Sequence, residues 1–236
     1  MKKMLLIISL VAAFSVGANA QMENVRLGIK LGPTVDWASS GSTAATNEGI
    51  RLGGNLGLVC DYYFTDNIAV SSGVNFNFLR MDYSFMDQRY VADFLEKINV
   101  KISRRLKATN FEIPLKMKMK FNILDSFSAY VEAGGGLSIN VKDLGKDRCE
   151  EFSFYWVYYD SEQSYSYEDR THQYRPLQLS MVFGLGTEYE INRNLSVFAQ
   201  LTFDHAFSNA FVNSLEKQTG SILRNNYIGI EVGFMH

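Results

Sequence analysis

The chain has 236 residues, with 23 Lys+Arg against 25 Asp+Glu, 47% apolar residues and 14% aromatics. That apolar fraction excludes a disordered chain, and the near-neutral balance offers no basic field for gripping nucleic acid. Two cysteines and three histidines cannot build a disulfide scaffold or a four-thiolate zinc site.

The chain opens as an address. Lys2 and Lys3 form a positive n-region, Met4 to Val16 is an apolar h-region, and Ala18-Asn19-Ala20 is an A-x-A cleavage site. Residues 1–20 are expected to be a secretory signal peptide, because the apolar run is shorter than the ~20 residues a spanning helix needs. Gln21 then starts the mature chain, where a lipoprotein would have Cys. An exported chain of this composition is either a soluble secreted protein or a membrane β-barrel, and periodicity decides between them.

Eight segments alternate with period two, the signature of strands whose successive side chains face opposite ways. The first sets Val25, Leu27, Ile29 and Leu31 against Arg26, Gly28, Lys30 and Gly32. The second sets Leu52, Leu56, Leu58, Cys60, Tyr62 and Phe64 against Arg51, Asn55, Gly57 and Asp61, and the third runs from Ile68 to Phe78. In the fourth, Phe111 to Phe121, every lysine of Lys116, Lys118 and Lys120 shares one face with Glu112. The fifth carries Glu132 and Lys142 on its polar face, the sixth Glu188 and Glu190, the seventh Asp204 and the eighth Glu231. Short turns are expected at Thr65–Asn67, Asn122–Asp125 and Asn192–Asn194. Long loops are expected at Asp36–Gly49, Arg80–Ala108, Asp143–Tyr174 and Ser208–Ser221. Helical spacing of Val91, Phe94, Leu95 and Ile98 predicts a short helix in the second of these loops.

The pattern predicts an all-β fold, an eight-stranded antiparallel up-and-down transmembrane barrel spanning 21–236 in the bacterial outer membrane, with three short periplasmic turns and four long outer loops. Lipid then faces the apolar side. The lumen holds Arg26, Lys30, Arg51, Lys116, Lys118, Lys120 and Lys142 against Asp61, Glu112, Glu132, Glu188, Glu190, Asp204 and Glu231, paired because an unpaired buried charge is costly. Such a narrow lumen is expected to be filled rather than conducting. Aromatic girdles are expected from Tyr62, Phe64, Phe121, Phe127, Tyr189 and Phe234 on the inner rim, and Trp37, Phe76, Phe78 and Tyr227 on the outer. Tyr227, Gly229, Val232 and Phe234 resemble the C-terminal signal recognised by the barrel-assembly machinery.

Three stretches, Gly28-Ile29-Lys30-Leu31-Gly32, Phe111-Glu112-Ile113-Pro114-Leu115-Lys116 and Tyr130-Val131-Glu132-Ala133-Gly134-Gly135-Gly136, together resemble the PorT-like outer-membrane β-barrel family of Bacteroidetes-type bacteria. The resemblance implies a barrel with no assigned activity in most members. The founding member belongs to a secretion and gliding apparatus, which implies an alternative role as accessory subunit of a secretion or envelope-assembly complex. Fold alone does not carry function.

Chemistry is sparse. Asp204, His205 and Ser208 suggest the parts of a lipid-modifying hydrolase, but Asp204 and His205 are adjacent in a strand and point to opposite faces, which is poor triad geometry. No catalytic residue, cofactor or metal is expected, and Cys60 and Cys149 are expected to be free thiols at opposite ends. The third loop is rich in aromatics, with Tyr155, Trp156, Tyr158, Tyr159, Tyr165 and Tyr167 as a candidate partner-binding set. The competing reading is a β-hairpin extending the neighbouring strands. The expected partners are outer-membrane lipid, the assembly machinery during biogenesis, and a protein partner in an envelope complex.

Overall fold

A computed structural model describes residues 24–40, 45–91, 96–152, 158–166, 175–192, 195–209 and 223–236. The expected signal peptide, 1–20, lies outside the described residues. Ten strands follow in chain order: β1 (Val25–Ser40), β2 (Ala45–Asn47), β3 (Arg51–Thr65), β4 (Ile68–Val91), β5 (Glu96–Leu124), β6 (Phe127–Phe152), β7 (Tyr158–Ser166), β8 (Leu177–Asn192), β9 (Leu195–Ala206) and β10 (Leu223–Met235). Eight of them close an antiparallel barrel in the order β1-β3-β4-β5-β6-β8-β9-β10, with β10 returning to β1. β2 pairs only the outer part of β4, and β7 only the outer part of β6.

The barrel is inside out relative to a soluble one. Leu31, Leu56, Leu115, Leu185, Leu201 and Ile230 are each at least half exposed on the outer wall. Lys30, Asp61, Glu112, Lys118, Glu188 and Glu231 are buried inside it. On β4 the outward positions run from Ile68 to Phe78. About ten residues at ~3.3 Å each, tilted by ~40°, make an apolar wall about 25 Å tall, the height of a hydrocarbon core. One outward hydroxyl, Ser72, is masked by donating to the Pro114 carbonyl at 2.8 Å. Pro114 has no N–H, and the β4–β5 ladder is interrupted between the Ser72–Leu115 and Asn75–Glu112 pairs, where Gly73 takes φ +153°.

Short turns join β3 to β4 and β5 to β6 on one side. The third short turn falls on residues 193–194, outside those described. The other side differs from expectation. The predicted second loop is largely strand: β4 and β5 continue as one ladder out to the Val91–Glu96 pair. The short helix is therefore overturned. Val91 and Ile98 lie in strands, with Arg89 paired to Ile98, while Phe94 and Leu95 lie outside the described residues. Extending an existing ladder adds hydrogen bonds without a costly helix nucleus.

Beneath this extension sits an apolar cap. Leu79, Met81, Tyr83, Phe85, Leu106 and Ala108 pack with Ala38, Leu223 and Tyr227 inside the outer end of the barrel. Tyr227 thus faces inward, only 3% exposed, and is no part of the outer girdle. On β10 the even positions Ile228, Ile230, Val232 and Phe234 face lipid, so the odd ones cannot.

The inverted wall predicts a depth-dependent cost. Leu115→Arg near mid-wall is expected to destabilise the barrel by about 2–4 kcal/mol in urea titrations in lipid vesicles, and Leu124→Arg at the inner rim by about 1 kcal/mol or less.

Candidate functional site

The strands converge their polar faces on a lumen that, among the described residues, is occupied by buried charged and polar side chains. At the inner mouth Arg26 binds Glu188 at 2.6 Å, and Lys120 bridges Glu190 at 2.9 Å and Glu188 at 3.4 Å. A polar vestibule of about 310 Å³ opens there, lined in part by Arg26, Tyr63, Lys120 and Glu190. One layer deeper, Lys118 binds Asp61 at 2.7 Å and lies 4.2 Å from the Tyr130 ring centroid. Lys116 pairs Glu132. Lys30 pairs Glu231 at 2.9 Å, and Glu231 also accepts from Asn55 and from Gln200. Gln200 accepts from the Tyr130 hydroxyl at 2.8 Å, which ties these layers together. Above them Glu112 accepts from Asn75 at 3.2 Å and from Asn77, and Asp204 accepts from Ser180 at 2.8 Å. Asp36 caps the stack by accepting the Arg80 backbone N–H at 2.9 Å.

Twelve of the fourteen predicted charges are brought to this lumen or its inner mouth: Arg26, Lys30, Asp61, Glu112, Lys116, Lys118, Lys120, Glu132, Glu188, Glu190, Asp204 and Glu231. Two are not. Arg51 sits at the exposed outer edge and pairs Asp82. Lys142 is exposed on the outside of the wall. Its pairing explains this: Asn110 opposes Asn140 but Thr109 opposes Lys142, so Val141 is an extra residue and β6 changes phase there.

The neutral members, Asn55, Asn75, Asn77, Ser180, Gln200 and Tyr130, are as central as the charges. All six fall on the polar faces of their strands, and all but Tyr130 are polar residues open to recognition on that ground. Tyr130 is an aromatic on the polar face, and its only signal is the glycine across the ladder, Gly186. A Cβ at Gly186 would lie 2.8 Å from the Tyr130 ring edge, and one at Gly184 would lie 2.8 Å from the Glu132 carboxyl carbon. Glycine at both positions leaves the space that these side chains occupy.

No hydrolytic set is assembled by Asp204, His205 and Ser208. Asp204 is buried in the lumen, His205 faces outward between Phe203 and Phe207 with Nδ1 2.5 Å from Asn226 Oδ1, and Ser208 Oγ accepts from the Leu179 N–H. Among the described residues no group of three or more His, Cys, Asp or Glu is placed to hold a metal ion. Cys60 is a free thiol, half-buried on the outer wall. Of the aromatic set, Tyr155, Trp156 and Tyr167 lie outside the described residues, and Tyr158, Tyr159 and Tyr165 belong to β7, which pairs β6 as a hairpin. In the C-terminal signal, Val232 and Phe234 face lipid while Tyr227 and Gly229 face inward.

An apolar outer wall around a charge-filled lumen defines a transmembrane β-barrel. The chain belongs to the outer membrane protein beta-barrel domain family, whose model matches residues 19–212. It is a bacterial outer-membrane protein. Comparison with curated proteins gives no significant sequence match. Among solved structures the chain is similar to Neisserial surface protein A, at 10% identity over 88% of this chain and 95% of that one, with a TM-score of 0.40. It is also similar to OprG from Pseudomonas aeruginosa, at 12% identity over 90% and 95% with a TM-score of 0.40. A third is Ail of Yersinia pestis, solved with the heparin analogue sucrose octasulfate, at 12% identity over 90% and 99% with a TM-score of 0.35.

Removing one partner of a buried pair leaves the other uncompensated. Lys30→Met is expected to cost about 3–5 kcal/mol in the same urea titration, and Lys30→Met with Glu231→Leu to recover most of that loss.

Proposed function

We propose that this protein is a non-enzymatic outer-membrane barrel that presents an extended sheet to a protein partner at the cell surface. The observation that carries this reading is the continuation of β4, β5 and β6 past the lipid-facing wall, flanked by β2 and β7, as a five-stranded sheet. The sheet is stapled at its β2 side: Ser84 donates to Glu48 at 2.6 Å and Lys101 pairs it at 3.1 Å. The Ser84 hydroxyl and Lys101 hold the Glu48 carboxyl below the usual carboxylate range. A filled lumen under an apolar cap supports a role outside transport, and the separation of Asp204, His205 and Ser208 supports a role outside hydrolysis.

A finer reading is an accessory subunit of a secretion or envelope-assembly complex, in keeping with the PorT-like resemblance of the Glu112-Ile113-Pro114-Leu115 strand and its neighbours. The Tyr-rich β6–β7 hairpin is the surface such a complex would use, since aromatic residues are enriched at interface centres.

A mild-detergent pull-down of the tagged protein from its native outer membrane tests both. The expected result is a stoichiometric partner that is lost when residues 152–159 are replaced by a short Gly-Ser turn, while the boiled-versus-unboiled gel shift of the barrel is kept. Recovery of the folded barrel alone would refute partner binding. Planar-bilayer insertion is expected to give no steady ion conductance, and an open ohmic pore would refute the filled-lumen reading.

A further inference from the structure

The bulge at Val141 places a cation where the strand pattern would not. Above it, the outward face of β4–β5–β6 has two rows in register. Phe78, Thr109 and Lys142 form the lower row, and Arg80, Lys107 and Leu144 the next one out. All but Thr109, which is half-buried, are exposed. Phe78 is the last apolar outward residue of β4, so both rows lie at the outer boundary of the hydrocarbon layer. On the far side of β6 that boundary is made by Leu177 and Phe207.

Arg80 and Lys107 are directly opposite each other across the ladder, and Lys142 is diagonal to Lys107. Like charges so placed, about 5 Å and 7–8 Å apart at Cβ, repel unless an anion lies between them. Among the described residues none of the three forms a salt bridge; Arg80 is near the Asp36 carboxylate, which already accepts its backbone N–H, and Lys107 and Lys142 have no carboxylate partner there. The nearby Asp82 is already engaged by Arg51 and by Arg105 at 3.4 Å. Lipid-facing Phe78 and Val141 lie just below, positioned for acyl chains.

We propose that Arg80, Lys107 and Lys142 form a docking surface for the phosphate groups of an outer-leaflet glycolipid, with its acyl chains lying on Phe78 and Val141. The surface matches an amphiphile in both halves: cations at headgroup level and apolar side chains beneath. Membrane-adjacent Lys and Arg attract anionic headgroups in this way.

The test uses the full mature barrel in detergent, with bis-phosphorylated lipid A and the same lipid enzymatically dephosphorylated as probes, read by native mass spectrometry. The wild type is expected to hold the phosphorylated lipid about tenfold or more tightly than Arg80→Gln/Lys107→Gln/Lys142→Gln, because three cations act together. The dephosphorylated lipid is expected to bind both proteins equally weakly. Rising salt should weaken only the wild-type complex, and Lys107→Arg should keep it. Unchanged binding by the triple variant, with its gel shift intact, would overturn the proposal. So would equal binding of both lipids by the wild type, which would show acyl contact alone. Displacement of the lipid by millimolar inorganic phosphate would assign the site to a free anion instead.

Discussion

Closure of β10 onto β1 is the contact on which the rest of the structure depends. In hydrocarbon every unpaired backbone N–H or C=O costs several kcal/mol, so a sheet with two free edges cannot stay there. The seam runs from the Gly28–Met235 pair to Ser40–Leu223. Below it, the Leu27 and His236 backbones exchange N–H···O bonds at 2.9 and 2.7 Å. The Lys30–Glu231 ion pair joins these same two strands across 201 positions of sequence. Closing the wall and neutralising the lumen are therefore one event, and the most non-local contacts in the chain must form before either is complete.

Once closed, the interior is layered by chemistry. Charge-paired strata occupy the inner and middle depths, amide and hydroxyl partners hold Glu112 and Asp204 higher up, and an apolar cluster around Met81, Tyr83 and Tyr227 shuts the outer end. The charges and the cap answer different needs. Buried ions add little net stability but demand specific partners, and so fix the strand register. The cap adds ordinary hydrophobic burial at the one end of the barrel where the strands continue beyond lipid.

Much of this was legible in the residues because lipid imposes strict alternation. Lys116, Lys118 and Lys120 share a face only if Phe111–Phe121 is a strand, and no helix satisfies that segment. The legibility stopped where the environment stopped being two-faced. From Arg80 to Ala108 the strands run past the lipid-facing wall, and the inward positions Met81, Tyr83, Phe85, Leu106 and Ala108 are apolar where the spanning part is polar, so the segment reads as a loop containing a helical apolar cluster. Tyr227 was misplaced because a rim aromatic and a core aromatic are the same residue, and only its parity with Ile228 separates them. Lys142 was misplaced because a bulge has no composition of its own: Val141 suits either face, and only the pairing with Thr109 and Asn110 reveals the extra residue.

That single extra residue makes the two halves of β6 independent of each other in phase. Above the bulge Lys142 and Leu144 face outward at even positions, whereas below it Val131 to Ile139 face lipid at odd ones. Losing Val141 would remove the bulge and restore simple alternation, with Lys142 still opposite Thr109 and the outer half of β6 presenting the same sides as before. The bulge therefore sets a local bend and added twist where β6 leaves the lipid-facing wall, rather than a choice of face.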